Sequence, residues 1–277
     1  QSMRKSLKMT IGIGLILSCF GLILVGIGLS SGGIDKLQVK DDQAPKKEVQ
    51  FDNIQSLDLD LSVRNIKIES SQDQHFKLTY YKKLDEEISH KVQHQKLNLK
   101  QKEKFRIHFF VLSDFFNWFH QDDTNTVTLA IPKNVQLKDV SIKNNVGDIT
   151  IKNQQASKIT VHQNTGNLNI YNSQIAKGKV SSDVGNIAIQ NSSLSNIDVV
   201  DHTGDISAEN LTVLNLVRMT NNIGNTNVSL SPQSAQATIV STKTDVGHTD
   251  ISHQLLQGYS GKNRLAVKGD TGNIQIK

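Results

Sequence analysis

Two residues ahead of a recurring glycine the chain carries Asn145, Asn164, Asp183, His202, Asn222, Asp245 and Asp270. If those glycines mark equivalent points of stacked β-coils, neighbours in this file stand about 4.8 Å apart. Asp245 and Asp270 are then adjacent, with His248 close by. Two carboxylates at that range can split their pKa values and act as acid and base, or hold Ca²⁺. The plainer reading is two solvated turn aspartates, because Asp and Asn tolerate left-handed backbone, and it is preferred. Asp183 beside His202 reads as a surface pair. Asp148 and Asp205 fall three coils apart, about 14 Å by the same spacing, too far to share a proton. No Ser/His/Asp signature, Walker loop, HExxH or glycine-rich Ca²⁺ nonapeptide occurs. His90 and His94 have i, i+4 spacing, on a segment (85–93) read as a short helix. No catalytic residue, metal site or cofactor is assigned.

A second kind of chemistry is electrostatic. Residues 75–106 hold nine Lys/Arg and four acids, a local excess of five positive charges. Directly after them, 105–119 (FRIHFFVLSDFFNWF) holds six of the nine Phe and the single Trp. Basic side chains beside exposed aromatics can bind an anionic membrane surface or wall polymer, or dock another envelope protein. The candidate binding residues are Lys82, Lys83, Lys100, Lys102, Lys104, Arg106, Phe115, Phe116, Trp118 and Phe119. The bland alternative fills a cap with the aromatics and leaves the lysines solvated. Nucleic acid is not expected as a partner.

These side chains need a scaffold, and the sequence writes one as a repeat. Aligned on glycine, the chain reads NNVGDITI, QNTGNLNI, SDVGNIAI, DHTGDISA, NNIGNTNV, TDVGHTDI and GDTGNIQI. The glycines are Gly147, Gly166, Gly185, Gly204, Gly224, Gly247 and Gly272, spaced 19 to 25 residues apart. Each repeat carries apolar or small residues seven and five before the glycine and two and four after it, as in Val140/Ile142 and Ile149/Ile151. A further one lies nine after, as at Ile175 and Leu194. Spacing of two is the strand period. Each repeat predicts about three strands of two to four residues, stable only when stacked on its neighbours. The glycine supplies a sharp bend at positive φ. The Asp148, Asn167, Asn186, Asp205, Asn225 and Asn273 that follow suit the same turn, since Asn and Asp tolerate left-handed backbone, and stacked Asn side chains can also hydrogen-bond between coils. The expected fold class is all-β: a parallel (right-handed) β-helix or β-solenoid.

Residues 57–68 (LDLDLSVRNIKI) fit the repeat with Arg64 in the glycine's place. The insertion at 70–131 is expected to cap that first coil. Its strands are read at 76–81, 96–100, 105–112 and 126–131. No cap is expected beyond the last coil, whose end is either blunted by charge or an edge open to self-association.

The chain has 277 residues, with 31 basic and 26 acidic side chains. Its single Cys, Cys19, excludes a disulfide scaffold. Gln1 and Ser2 read as a tag scar within a cytoplasmic tail at 1–10. Residues 11–30 read as a transmembrane anchor: 11–29 carry no charge and, as a helix, reach about 28 Å. Arg4, Lys5 and Lys8 favour the N-terminus inside. A cleaved signal peptide is the rival reading, but its apolar region is usually shorter. Residues 31–50 read as a linker, 51–139 as the first coil with its cap, and 140–277 as the repeat solenoid. The resulting localisation is a single-pass cell-membrane protein with an extracellular C-terminal domain.

The VGDI/TGNI-type turns from 146 to 276, the opening 54–70 segment with its Asn65-Ile66-Lys67-Ile68, and the strand 127–133 (VTLAIPK) together resemble the bacterial "putative adhesin" β-strand-repeat family. The resemblance covers about 51–277. It implies a domain of unknown function with no agreed catalytic residues, and an N-terminal anchor in many Gram-positive members. In some relatives it implies a part in the envelope response to membrane-active antimicrobials. The aromatic stretch at 105–119 departs from the family pattern. Two functions follow as expectations: a non-enzymatic surface-binding module, or a polysaccharide-acting β-helix enzyme using Asp245 and Asp270. The first is preferred.

Overall fold

The computed structural model describes residues 45–83, 86–103, 123–256 and 261–277. The expected anchor, and the candidate residues Lys104, Arg106, Phe115, Phe116, Trp118 and Phe119, lie outside these. Among the described residues no helix is long and apolar enough to cross a membrane.

The described chain is a parallel β-solenoid with an antiparallel cap. The cap and first coil contain β1 (Lys46–Phe51), β2 (Ser56–Val63), β3 (Asn65–Ser71), β4 (Phe76–Tyr81), β5 (Glu86–Gln93), β6 (Lys96–Glu103) and β7 (Thr126–Pro132). Regular coils follow: β8 (Gln136–Leu137), β9 (Asp139–Val146), β10 (Ile149–Lys152); β11 (Gln155–Ala156), β12 (Ile159–Thr165), β13 (Leu168–Tyr171); β14 (Gln174–Ile175), β15 (Gly178–Val184), β16 (Ile187–Gln190). The later coils use β17 (Ser193–Thr203), β18 (Ile206–Ile223) and β19 (Thr226–Leu230). After these come helix α1 (Pro232–Ala237), β20 (Thr238–Val246), β21 (Thr249–Ile251), helix α2 (His253–Leu256), β22 (Asn263–Thr271) and β23 (Ile274–Ile276).

The strand before each glycine runs seven to nine residues in most coils, longer than the two to four expected. Pairing with coils on both sides holds this segment extended up to the turn, a constraint no single repeat reveals. The inward phase is as the sequence predicts. Ile159 and Val161, then Leu168 and Ile170, are 0–1% exposed, and Ile175 is 3% exposed. Each such side chain contributes roughly 1.5–3 kcal/mol by leaving water.

Stack order departs from chain order at both ends. On one face the strands run β1-β4-β7-β3-β10-β13-β16-β18-β19-β23-β21, on the other β5-β6-β2-β9-β12-β15-β17-β18-β22-β20. The coil of Gly272 therefore sits between those of Gly224 and Gly247. The last coil in sequence is interior, and among the described residues the free edge belongs to β20 and β21. Likewise the insertion does more than cover the Arg64 coil. Its β6 and β7 form a further outer coil parallel to β2 and β3, and β1, β4 and β5 add antiparallel strands beyond. β1 also overlaps the segment read as linker.

Residues 86–93 are strand, not helix. β5 and β6 form a hairpin whose two turn residues, His94 and Gln95, both have positive φ. Paired primed turns suit the strand twist, but His-Gln is not a sequence signal for one. His90 and His94 therefore share no helical face.

Arg64 occupies the glycine position without exposure to solvent. Its guanidinium donates to the carbonyls of Thr124 and Tyr81, 2.8 and 3.0 Å away, tying the first coil to the insertion. Arg64→Ala leaves a cavity and uncovers both carbonyls. The expected loss is about 3–4 kcal/mol, read as a fall in the thermal midpoint. A midpoint unchanged from the parent would show that the buried guanidinium does not join the two parts.

Candidate functional site: the glycine corner and the lysine face

The topology divides the basic stretch. Lys77, on β4, lies on one face with its Nζ 3.8 Å from Glu48. Lys82 follows β4 and donates its backbone N–H to the Pro45 carbonyl. The Lys83 ammonium donates to Asn125 Oδ1 at 3.1 Å. Lys96, Lys100 and Lys102 share β6 on the other face, their side chains alternating with buried Leu97, Leu99 and Gln101. Acids are interleaved here: Lys96 Nζ is 3.8 Å from Asp58, Lys100 stands opposite Asp60, and Lys102 stands opposite Glu87. Lys91 on β5 and Lys143 on β9 join the same neighbourhood by register. Lys143 is remote in sequence and had no local signal.

The glycine corner is built by three files of side chains. The first directly follows the glycine. Its side-chain oxygens accept the backbone N–H of the next coil in an unbroken series: Asn65 from Asp148, Asp148 from Asn167, Asn167 from Asn186, Asn186 from Asp205, Asp205 from Asn225, Asn225 from Asn273, and Asn273 from His248, at 2.7–3.1 Å. Of the two roles expected for Asn and Asp here, hydrogen bonding between coils holds, and left-handed backbone is corrected. The glycine alone takes positive φ, and the residue after it serves as an acceptor. Left-handed asparagines do occur, six residues after the glycine, at Asn153, Asn172, Asn191 and Asn210. Asn172 donates to Asn153 and Asn210 to Asn191 across coils. The sequence reading missed this second turn.

The second file, two before the glycine, faces solvent. Asp245 and Asp270 are register neighbours, as the repeat predicts. Each is tied to a lysine two residues earlier on its own strand: Lys243–Asp245 at 3.5 Å and Lys268–Asp270 at 2.8 Å. His248 uses its backbone N–H in the asparagine series. Asp183 lies between two imidazoles, 3.3 Å from His202 Nδ1 and 3.7 Å from His162 Nε2.

The third file, three before the glycine, points inward, yet it is polar. Asn144 is 1% exposed, and Gln163, Ser182, Asp201 and Asn221 are fully buried. The donors in it satisfy turn carbonyls. Asn144 Nδ2 reaches Arg64 O and Gly147 O, Gln163 Nε2 reaches Gly147 O, Asn221 Nδ2 reaches Gly204 O, and Thr244 Oγ1 reaches Gly272 O. Asp201 breaks the pattern. A carboxylate only accepts, and so do the carbonyls that this file serves. Both its oxygens are buried, and neither forms a hydrogen bond of good geometry with the Thr203 and His202 N–H groups or the Ser182 hydroxyl beside it. Burial pushes its pKa up to about 6, while the His202 and Thr203 backbone N–H groups, the Ser182 hydroxyl and the His202 charge pull the other way. The parity of the repeat carried this signal: seven, five and three before glycine are one inward series.

A stacked parallel solenoid with glycine corners and a buried amide file defines the class of protein. The family model for Toastrack DUF4097 matches residues 54–277, and the chain belongs to that family. Solved structures to which the chain is similar include a "putative adhesin" from Bacteroides fragilis at 18% identity, covering 84% of this chain and 96% of that one, with a TM-score of 0.46. A "putative cell adhesion protein" from Clostridium sporogenes has 12% identity, covers 84% and 98%, and has a TM-score of 0.37. No curated protein matches the chain.

Proposed function

We propose that this chain is a non-enzymatic surface-binding module: a solenoid with its coils wound right-handed, held outside the cell by an N-terminal membrane anchor. It would present its lysine-bearing face to anionic lipid or wall polymer, with a role in envelope stress. The observation that supports this best is how the corner residues are used. The side chains that chemistry would recruit are committed to joining coils or to lysines on their own strand. The cations on β6, interleaved with acids, project from an edge region of the stack.

The test is co-sedimentation of residues 31–277, which carry the whole described core, with anionic vesicles and with isolated wall material. Binding at low salt should fall several-fold at 1 M salt, where the Debye length shrinks to about 3 Å. Lys100→Glu with Lys102→Glu should weaken it at low salt, with the thermal midpoint only a few degrees lower because Asp60 and Glu87 stand opposite. Binding indifferent to both salt and charge reversal would remove the lysine face from the function. Binding lost on Phe116→Ala with Trp118→Ala would move the contact to the aromatic stretch.

A further inference from the structure

Outward from β13, alternating with buried Leu168 and Ile170, stand Asn169 and Tyr171. The Tyr171 hydroxyl donates to Asn169 Oδ1 at 3.1 Å, two residues back on the same strand. That bond lays the ring along the strand. Register sets Lys152 of β10 on one side of Tyr171 and Gln190 of β16 on the other, each about 4.8 Å away across the strands. Asn172 and Asn191 follow at the left-handed turn. These five residues line an open depression of about 270 Å³. That is just short of the roughly 300–1,000 Å³ of pockets for drug-sized ligands, and is room for one sugar ring. The fold leaves its polar groups unused. The asparagine series joins Asn172 to Asn153 and Asn210 to Asn191, but among the described residues no bond joins Asn191 to Asn172. Asn172 Oδ1, Asn191 Nδ2, the Gln190 amide and the Lys152 ammonium have no protein partner among the described residues. Charge cancels around them. On the outward side of β3, β10, β13, β16 and the first residues of β18, Lys67 and Lys152 are matched by Glu69 and Glu209.

We infer that this depression binds a neutral polysaccharide, with one pyranose ring lying on Tyr171. The C–H bonds on the face of a pyranose carry partial positive charge, and the face of an aromatic ring is negative. Tyrosine also offers a rigid contact surface at little cost in conformational entropy. Neighbouring sugar hydroxyls both give and take hydrogen bonds. The depression meets them with an acceptor, Asn172 Oδ1, and with donors on Asn191, Gln190 and Lys152. A polyanion gains little here, because the acids at Glu69 and Glu209 offset the two lysines. The site lies on the opposite sheet from the lysines of β6. The inference is independent of what that lysine face binds.

The experiment is calorimetric titration of the full chain, in a detergent without sugar headgroups, with cellotetraose, mannotetraose, galactotetraose and chitotetraose. At least one should bind with a Kd of about 1 mM or tighter, the range open to a shallow site. Salt at 1 M should change that Kd by less than about twofold, since no net charge is neutralised. Tyr171→Thr keeps a strand-forming residue and should raise the Kd at least tenfold. Asn191→Gly keeps the left-handed backbone, deletes the amide and should raise the Kd several-fold. Both variants should hold the thermal midpoint within a few degrees of the parent. Lys100→Glu with Lys102→Glu should leave the Kd unchanged, so failure here and failure of the lysine face are read separately. No binding of any of the four sugars at ten times the expected Kd overturns the inference. So does binding indifferent to Tyr171→Thr, and so does binding released by salt or lost on charge reversal of β6.

Discussion

Gly224→Ala is expected to be the most damaging single-methyl change in the solenoid. A Cβ at Gly224 would lie 1.7 Å from the Gly204 carbonyl oxygen and 2.6 Å from its carbon, at a φ of +140°. Both clashing atoms are backbone of the coil below, so no rotamer change relieves them. The coil above fixes the position from the other side, because the Gly224 N–H donates to Thr271 O. Relief therefore means breaking the ladder locally. The expected cost is at least about 4–5 kcal/mol, the range reached only by special backbone geometry or core disruption. For a domain of this size that is a fall in thermal midpoint of about 10–15 °C. The control is Gly269→Ala. Gly269 faces the polar file, and a Cβ there would meet Thr244 Oγ1 at 3.4 Å and Ile274 at 3.5 Å, ordinary contacts. It should change stability by less than about 1 kcal/mol. Equal effects at the two sites would mean that the corner is not a close approach of backbones.

Asp201→Asn is expected to do the opposite and stabilise the protein at neutral pH. The folded pKa, about 6, lies above the ordinary aspartate value of 3.8 because the carboxyl is buried. Below pH 4 the group is protonated in both folded and unfolded states, and no penalty applies. Between about pH 4 and 6 the unfolded chain ionises while the folded chain holds its proton, so stability falls as pH rises. Above that window the penalty is constant. The difference in pKa corresponds to about 3 kcal/mol. Asn at this place should donate to turn carbonyls as Asn144 and Asn221 do. Denaturant unfolding of parent and variant should therefore coincide near pH 3.5 and diverge by about 2–3 kcal/mol at pH 7. A gap that does not change with pH would show that Asp201 finds a compensating donor when folded. Asp201 is read as the one place where a ladder of amide donors meets an acid, and its cost is local to that corner.

The repeat was readable because each coil restates the same constraint. An inward phase with period two and a glycine that cannot bear a Cβ recur seven times, so the register of Gly147 to Gly272 and the adjacency of Asp245 and Asp270 were legible in the chain alone. So was the place of Arg64 in a degenerate coil, from the strands on either side of it. Two reasons for Asn and Asp after the glycine were legible, and the sequence could not choose between them, because tolerating a left-handed turn and hydrogen-bonding to the next coil select the same residue types. Position 201 could have been found by parity, since residues three before the glycine share the inward phase of Val199 and Ile197, but nothing local says that a polar residue there is enclosed.

Other features depend on pairs of segments far apart in sequence. The period of the coils fixes how a coil is built, not which coil lies next to which. Whether β22 stacks beneath β18 directly or after β20 costs the same in local propensity. Only packing between whole coils decides, and it placed the coil of Gly272 inside and β20 at the edge. The basic run shows the same division. Composition established an excess of lysine across 75–106, while the hairpin turn at His94-Gln95 and the parallel pairing of β6 with β2 sent Lys77 to one face and Lys96, Lys100 and Lys102 to the other. Sequence alone determined the unit, its inward residues and its obligatory glycines, because those follow from sterics within and between identical coils. Tertiary structure decided the order of the coils, the sealed and open ends and the grouping of charges, because these arise from contacts that no single repeat contains.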